Sequence, residues 1–140
     1  DGVMFRILSP STEYLRETSP GGTIGEKKEF ASLIVQLSYG DFDVLLTGDS
    51  QKEAFMRDEF RGKSVEVLQS PHHGSKTGVG REMLGKLDPK LVVISVGKNN
   101  YGHPSKETLD LLKVAGIKAA RTDRNGDIEI VSDGKLWNVK

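Results

Sequence analysis

Apolar residues recur along this chain in short runs, and the spacing within each run changes from strand-like to helical and back. Met4–Leu8 reads as a short strand closed by Ser9-Pro10. From Ser11 to Lys28 the chain is polar and holds Pro20 and Gly21-Gly22, the composition of a long loop. Ser32–Tyr39 alternates, placing Leu33, Val35, Leu37 and Tyr39 on one face of a strand. After a turn at Tyr39-Gly40-Asp41 the chain returns as Phe42–Thr47. There Val44, Leu45 and Leu46 are consecutive, the pattern of a strand covered on both faces.

Ser50-Gln51-Lys52-Glu53 has the form of a capping box, predicting a helix through about Phe60 with Ser50 as its cap. Val65–Leu68 is a short strand leading into Pro71-His72-His73. Val79, Met83, Leu84 and Leu87 have helical spacing, and Pro89 ends that helix. Leu91–Val96 reads as a buried strand. Ser105 can cap a helix over 105–115 carrying Leu109, Leu112 and Ala115, with Gly116 just past its end. Ile128, Ile130, Leu136, Trp137 and Val139 predict a final hairpin turning at Asp133-Gly134. Strands alternating with amphipathic segments predict an α/β unit: a mixed β-sheet with helices on one side.

Composition narrows the class. With 140 residues the chain is one domain or a piece of one, and 36% hydrophobic residues suffice for a packed core. Twenty basic and twenty acidic residues cancel, so nucleic-acid binding would need a local surface. No cysteine is present, which removes disulfides and thiolate ligands. No signal peptide is visible, and no apolar run reaches the roughly 18 residues of a membrane span. The chain starts at Asp1 without an initiator methionine and runs directly into strand-like sequence, as expected of a segment of a longer protein.

Candidate chemistry gathers where apolar runs stop. Leu45-Leu46-Thr47-Gly48-Asp49 ends in a carboxylate, and Ser70-Pro71-His72-His73-Gly74-Ser75 carries two imidazoles. Such a mixed set suits a metal on a sheet edge. A cap or turn is the commoner use of an aspartate, but Ser50 can take the cap and free Asp49. Adjacent histidines on a continuing strand would face opposite ways. Pro71 and Gly74 predict a turn that can aim either ring at the site. Ser75 and Lys76 add a hydroxyl and a cation suited to a phosphate oxygen. His103, in Tyr101-Gly102-His103-Pro104, precedes a helix whose N-terminus attracts anions; an exposed loop histidine is the equally weighted reading. Lys98, Asn99 and Asn100 offer donors to a phosphate backbone. The other basic residues read mostly as a solvated face.

Several of these segments, in this order, resemble the ComEC-type DNA-internalisation competence proteins: Ile7-Leu8-Ser9-Pro10, Ser32–Leu37, Leu45–Asp49, Pro71–Ser75, Ile94-Ser95-Val96-Gly97, Asn100–Pro104, and Arg121-Thr122-Asp123 followed by Gly126-Asp127-Ile128. The resemblance implies half of a metallo-β-lactamase αββα sandwich, spanning residues 1–140 as a partial domain. It implies a divalent-metal centre, zinc or manganese, in the complete domain, and hydrolysis of phosphodiesters in DNA during uptake. Asp49 would be a metal ligand, one of His72 and His73 the late histidine ligand, and His103 would contact substrate or shuttle a proton. Ser75, Lys76 and Asn100 would meet the substrate. The partners implied are DNA, as a single or degraded strand, and the remainder of the parent domain. The setting implied is a soluble domain of a bacterial inner-membrane protein, with no membrane insertion by this segment itself.

The departures set the remaining expectations. The superfamily's first metal motif, His-x-(His or Asp)-x-Asp-His, is absent; none of the three histidines lies before position 72. Phe30-Ala31 stand where many ComEC sequences carry asparagine before the Ser-led strand. The isolated chain is therefore expected to bind metal weakly and to be inactive, or nearly so. A phosphoesterase of the same fold with another substrate, and a non-catalytic DNA-binding domain, are the alternative readings.

Overall fold

The computed structural model describes residues 2–18, 31–57, 60, 62 and 64–140. Six strands form one sheet in chain order: β1 (Met4–Ser9), β2 (Ile34–Tyr39), β3 (Phe42–Leu46), β4 (Val67–Gln69), β5 (Leu91–Ile94) and β6 (Lys118–Arg121). The first three are antiparallel neighbours; β3 to β6 run parallel. Four helices accompany them: α1 (Thr12–Thr18), α2 (Arg81–Leu87), α3 (Lys106–Val114) and α4 (Thr122–Asn125). A separate hairpin, β7 (Ile130–Ser132) with β8 (Trp137–Val139), closes the chain. Because β1 is antiparallel to β2 and β2 to β3, the carboxyl ends of β1, β3, β4, β5 and β6 share one edge.

Helices α2 and α3 lie on one face, with residues 54–55 beside them. Leu8, Ile34, Leu45, Leu68, Val92 and Ile94 of the sheet are buried in one cluster with Phe55, Met83, Leu84, Leu87 and Leu112. Each such side chain contributes about 1.5–3 kcal/mol by leaving water. On the opposite face, Phe42, Val67 and Leu91 pack beneath Ile130 and Trp137 of the hairpin, with the Phe42 and Trp137 rings 5.9 Å apart. The hairpin is held to the β2–β3 turn by Asp41 N–H donating to Gly134 O at 2.6 Å. Gly40, at φ +58°, has the Gly134 carbonyl where a Cβ would stand, so only glycine fits there.

Beyond the hairpin this second face is bare and apolar. Cross-strand partners share a face, and the pairs Phe5–Leu37, Ile7–Val35, Val35–Leu46 and Leu37–Val44 form one continuous strip. Phe5 and Ile7 are 65% and 66% exposed. The alternation expected of β2 holds, but the buried side chains are Ile34 and Gln36. Val35 and Leu37 look toward the bare side, Tyr39 lies against Gly134 of the hairpin, and Leu33 just before the strand is exposed. The face read from the sequence as apolar is thus turned away from the helices.

Three expectations are corrected. The loop expected over 11–28 begins with helix α1, capped by Ser11 Oγ accepting from Tyr14 N–H at 3.2 Å; residues 19–28 lie outside those described. The capped helix expected over 51–60 begins as a 3₁₀ stretch, Lys52–Met56, with Gln51 at its cap position and no side-chain cap. The Ser50 hydroxyl is buried without a partner. The physical reason is that Lys52 N–H donates to Thr77 O at 3.0 Å, so the backbone of the next loop satisfies a donor the cap would have served. Residues 58 and 59 of that expected helix are outside the described set. Finally, Lys118–Arg121 was not expected as a strand. It lacks β-branched residues and becomes one because α3 returns the chain to the β5 edge.

The other two helices form as their signals predict. Ser105 Oγ accepts from Thr108 N–H at 3.1 Å. At the far end Gly116, at φ +70°, lets Ile117 N–H reach Leu112 O and Gly116 N–H reach Lys113 O, the paired bonds of a glycine-terminated helix. Among the described residues no helix is long and apolar enough to cross a membrane.

Candidate metal centre

Asp49 follows β3, His72 and His73 follow β4, and His103 lies in the long connection after β5. Parallel topology therefore brings all four to one edge. The His72-His73-Gly74 segment is a left-handed turn, with φ of 49°, 55° and 79°. Left-handed backbone costs a non-glycine residue about 1–2 kcal/mol, so the surroundings must impose it. They do so through backbone bonds on both sides: His72 N–H to Gly48 O at 3.0 Å, and Ser105 N–H to Gly74 O at 3.0 Å. A Cβ on Gly74 would lie 2.7 Å from that of Pro104. The turn locks the three loops together and aims both imidazoles at the same edge, which a continuing strand could not do.

The two neighbouring histidines are held differently. His73 Nδ1 lies 2.8 Å from the Ser95 carbonyl. A carbonyl only accepts, so Nδ1 carries a proton, and in the neutral ring Nε2 holds the lone pair. That Nε2 stands 3.6 Å from Asp49 Oδ1, with the side chains 53% and 55% exposed. Two electron-pair donors converge in solvent on one point, with a backbone carbonyl fixing the tautomer from behind. That is how a metal-ligating histidine is oriented. His72 Nδ1 instead accepts from the Gln51 side-chain amide at 3.2 Å, and its ring faces that of His103 at 5.7 Å.

His103 is half-buried, and its Nδ1 is buried with no hydrogen-bond partner. Burial, reinforced by the neighbouring His72 and His73 rings, holds its pKa below the usual imidazole value. It is therefore neutral at pH 7. Asn99 builds its loop: its Oδ1 accepts from Tyr101 N–H and His103 N–H, and its Nδ2 donates to Gly97 O and His103 O.

The expected substrate contacts divide. Lys76 is exposed beside His103 across a cleft of about 270 Å³. Asn100 is exposed on the same loop. Ser75 is buried: its hydroxyl pairs with Thr77 Oγ1 at 2.9 Å and accepts from Thr77 N–H, while its carbonyl accepts from Thr108 Oγ1. Its hydroxyl therefore shapes the turn. Asn99, read as a phosphate donor, is likewise engaged in its own loop. Arg121 is paired with Asp123 through two bonds of 2.9 and 2.6 Å.

Sequence reasoning missed Gln51, Thr122 and the Ser95 carbonyl. Thr122 Oγ1 accepts from Val96 N–H at 2.8 Å and donates to Val96 O at 2.7 Å, pinning the stretch just beyond β5 that presents Ser95. No sequence signal marks a backbone carbonyl. An Asn-Asn pair leading into Tyr101-Gly102 was a legible sign of the turn that Asn99 builds. Among the described residues, no group of three or more histidine, aspartate or glutamate side chains is arranged to hold a metal ion.

Fold and site together define an α/β protein that gathers imidazoles and a carboxylate at the carboxyl edge of parallel strands. No family model matches the chain. It is 39% identical over 130 residues, 91% of its length, to ComE operon protein 3 of Bacillus subtilis (strain 168). It is 29% identical over 133 residues, 92% of its length, to competence protein ComA of Neisseria gonorrhoeae. The chain is thus a homologue of a segment of the ComEC-type competence proteins, as its motifs indicated. It spans 16% and 18% of those two relatives. A crystal structure from Parabacteroides distasonis, described as a candidate metal-dependent hydrolase, aligns with 85% of this chain and 49% of its own, at 15% identity and a TM-score of 0.48.

Proposed function

We propose that this chain forms the late part of a metallo-β-lactamase-like αββα domain, within a bacterial inner-membrane competence protein, that hydrolyses DNA phosphodiesters during uptake. The observation that carries the reading is the convergence of His73 Nε2 and Asp49 Oδ1 at 3.6 Å, with His73 Nδ1–H fixed on Ser95 O. The names of the two competence relatives supply the DNA-uptake context. The bare apolar strip on the sheet supports a partial sandwich, since a continuous apolar sheet face ordinarily packs against another layer.

The donor chemistry fits a divalent cation such as zinc or manganese; the donor number is short of a full shell, which wants about four ligands. Asp49 and His73 would hold the ion on this side, and further parts of the parent domain would complete its coordination. When bound, the metal supplies Lewis acidity toward the phosphate and activates water near neutral pH. Neutral His103, with its unpartnered Nδ1, can take or return a proton at the substrate. Lys76 supplies positive charge to the phosphodiester. The isolated chain, with two ligands, hydrolyses little or nothing.

The two donors that converge among the described residues would equally suit a second reading, a domain that holds DNA without catalysis. One experiment separates them: DNA cleavage by the complete parent protein with manganese or zinc. Asp49→Asn and His73→Asn should each lower the rate at least about a hundredfold, by loss of a ligand, while His72→Asn leaves more activity. If the parent binds DNA but cleaves none under any metal, the non-catalytic reading replaces this one.

A further inference from the structure

Beside the proposed centre stands an aromatic ring that the mechanism does not use. Tyr101 is 84% exposed, the most exposed of the large apolar or aromatic side chains described. Its ring stacks on His103, with centroids 6.1 Å apart and planes 25° from parallel. Its backbone is fixed, because Tyr101 N–H donates to Asn99 Oδ1 at 3.1 Å. The ring thus stands beside the site histidine on a tethered loop, with most of its surface in water. A ring this exposed, apolar in its body and polar at its tip, offers a surface that a ligand can cover.

The surroundings indicate what covers it. Tyr101 and His103 form the wall between two clefts. One, of about 210 Å³, holds Lys98 and His73; the other, of about 270 Å³, holds Lys76, Lys106 and Glu107. Lys106 is neutralised by Asp110. Lys98 and Lys76 are exposed and have no ion-pair partner among the described residues, so one free cation flanks the ring on each side. An aromatic ledge between two cations matches a polymer that alternates flat bases with anionic phosphates. Aromatic side chains beside a basic groove bind single strands this way, because every base offers a π-face. In a duplex those faces are hidden by stacking.

We propose that Tyr101 is a base-stacking platform that seats one nucleobase of a single strand beside His103, with the flanking phosphates on Lys76 and Lys98. The inference rests on the phosphodiester reading of the neighbouring site and adds the residue that would seat a base there.

The test compares binding of two strands to the chain of residues 1–140 at low salt: an oligothymidylate of about ten nucleotides, within the usual site size, and an abasic deoxyribose-phosphate strand of equal length. The wild-type chain should bind the thymidylate about tenfold more tightly, the order of one stacked base. Tyr101→Phe should keep that preference and Tyr101→Ala should remove it, with the abasic strand held equally by all three. Lys76→Ala with Lys98→Ala should weaken both strands and flatten the salt dependence by about 1.4 in slope, two phosphates' worth on a single strand. Circular dichroism checks that each variant keeps its fold. Equal binding of the two strands by the wild type, or a preference that survives Tyr101→Ala, overturns the stacking proposal while leaving the phosphate reading intact. Binding of neither strand overturns the nucleic-acid reading, and this inference with it.

Discussion

His73 Nε2 lies 3.6 Å from Asp49 Oδ1, and the opposite edge of the same imidazole donates to the Ser95 carbonyl. Three separate strand ends thus meet in one imidazole, which makes His73 rather than His72 the ring with a free lone pair. Titrating the isolated chain with zinc should move the His73 ring resonances first and the His72 resonances little, without reaching saturation at one equivalent. Asp49→Asn should weaken the response further. Tight stoichiometric binding would show that this segment alone completes a metal site.

The pH dependence of stability follows from His103. Its pKa is lowered by burial and by the nearby His72 and His73 rings, so below the ordinary imidazole value the unfolded chain binds more protons than the folded one. Stability is therefore full above about pH 6.5 and falls as pH drops through the window between that value and the lower folded one. Replacing His103 with glutamine should flatten the decline. Urea midpoints measured from pH 8 to pH 5 check it, and an unchanged slope in the variant would remove His103 as the cause.

Two serines give a contrast in capping. Ser105→Ala removes the acceptor for Thr108 N–H and should cost about 1 kcal/mol, within the usual range for a helix cap. Ser50→Ala removes a buried hydroxyl with no partner and should cost nothing or stabilise slightly. Denaturant unfolding of both variants decides it; equal losses would mean that Ser50 does cap.

Gly74 sits where the histidine turn meets the His103 loop. Gly74→Ala adds a methyl 2.7 Å from Pro104 Cβ at a φ of +79°. The left-handed backbone alone costs about 1–2 kcal/mol, and the contact adds to it. The fold should survive with lowered stability, and the His72 and His103 resonances should shift together. Shifts confined to His72 would show that the loops are not locked.

Leu68 is fully buried at the centre of the sheet. Leu68→Ala should cost about 2–5 kcal/mol, transfer and cavity together. A loss below 1 kcal/mol would mean that the helix-covered face is not the stabilising core.

The sequence by itself determined much of this protein. Period-two runs and capped amphipathic segments marked β1 to β5, α2, α3 and the hairpin, because those signals are local: a Ser105 cap, a Gly116 stop, an alternation of faces. It also marked Asp49, His72, His73 and His103, since each residue type stands where an apolar run ends. Tertiary structure decided the rest. Ser50 and Ser105 look alike as caps, yet Lys52 N–H found Thr77 O and left Ser50 without a task. Lys118–Arg121 has no strand signature and became β6 because α3 delivers it to a sheet edge. The different settings of His72 and His73 come from a glutamine amide and a backbone carbonyl on distant loops. Tautomer, ring direction and burial are long-range properties, and no spacing along the chain encodes them.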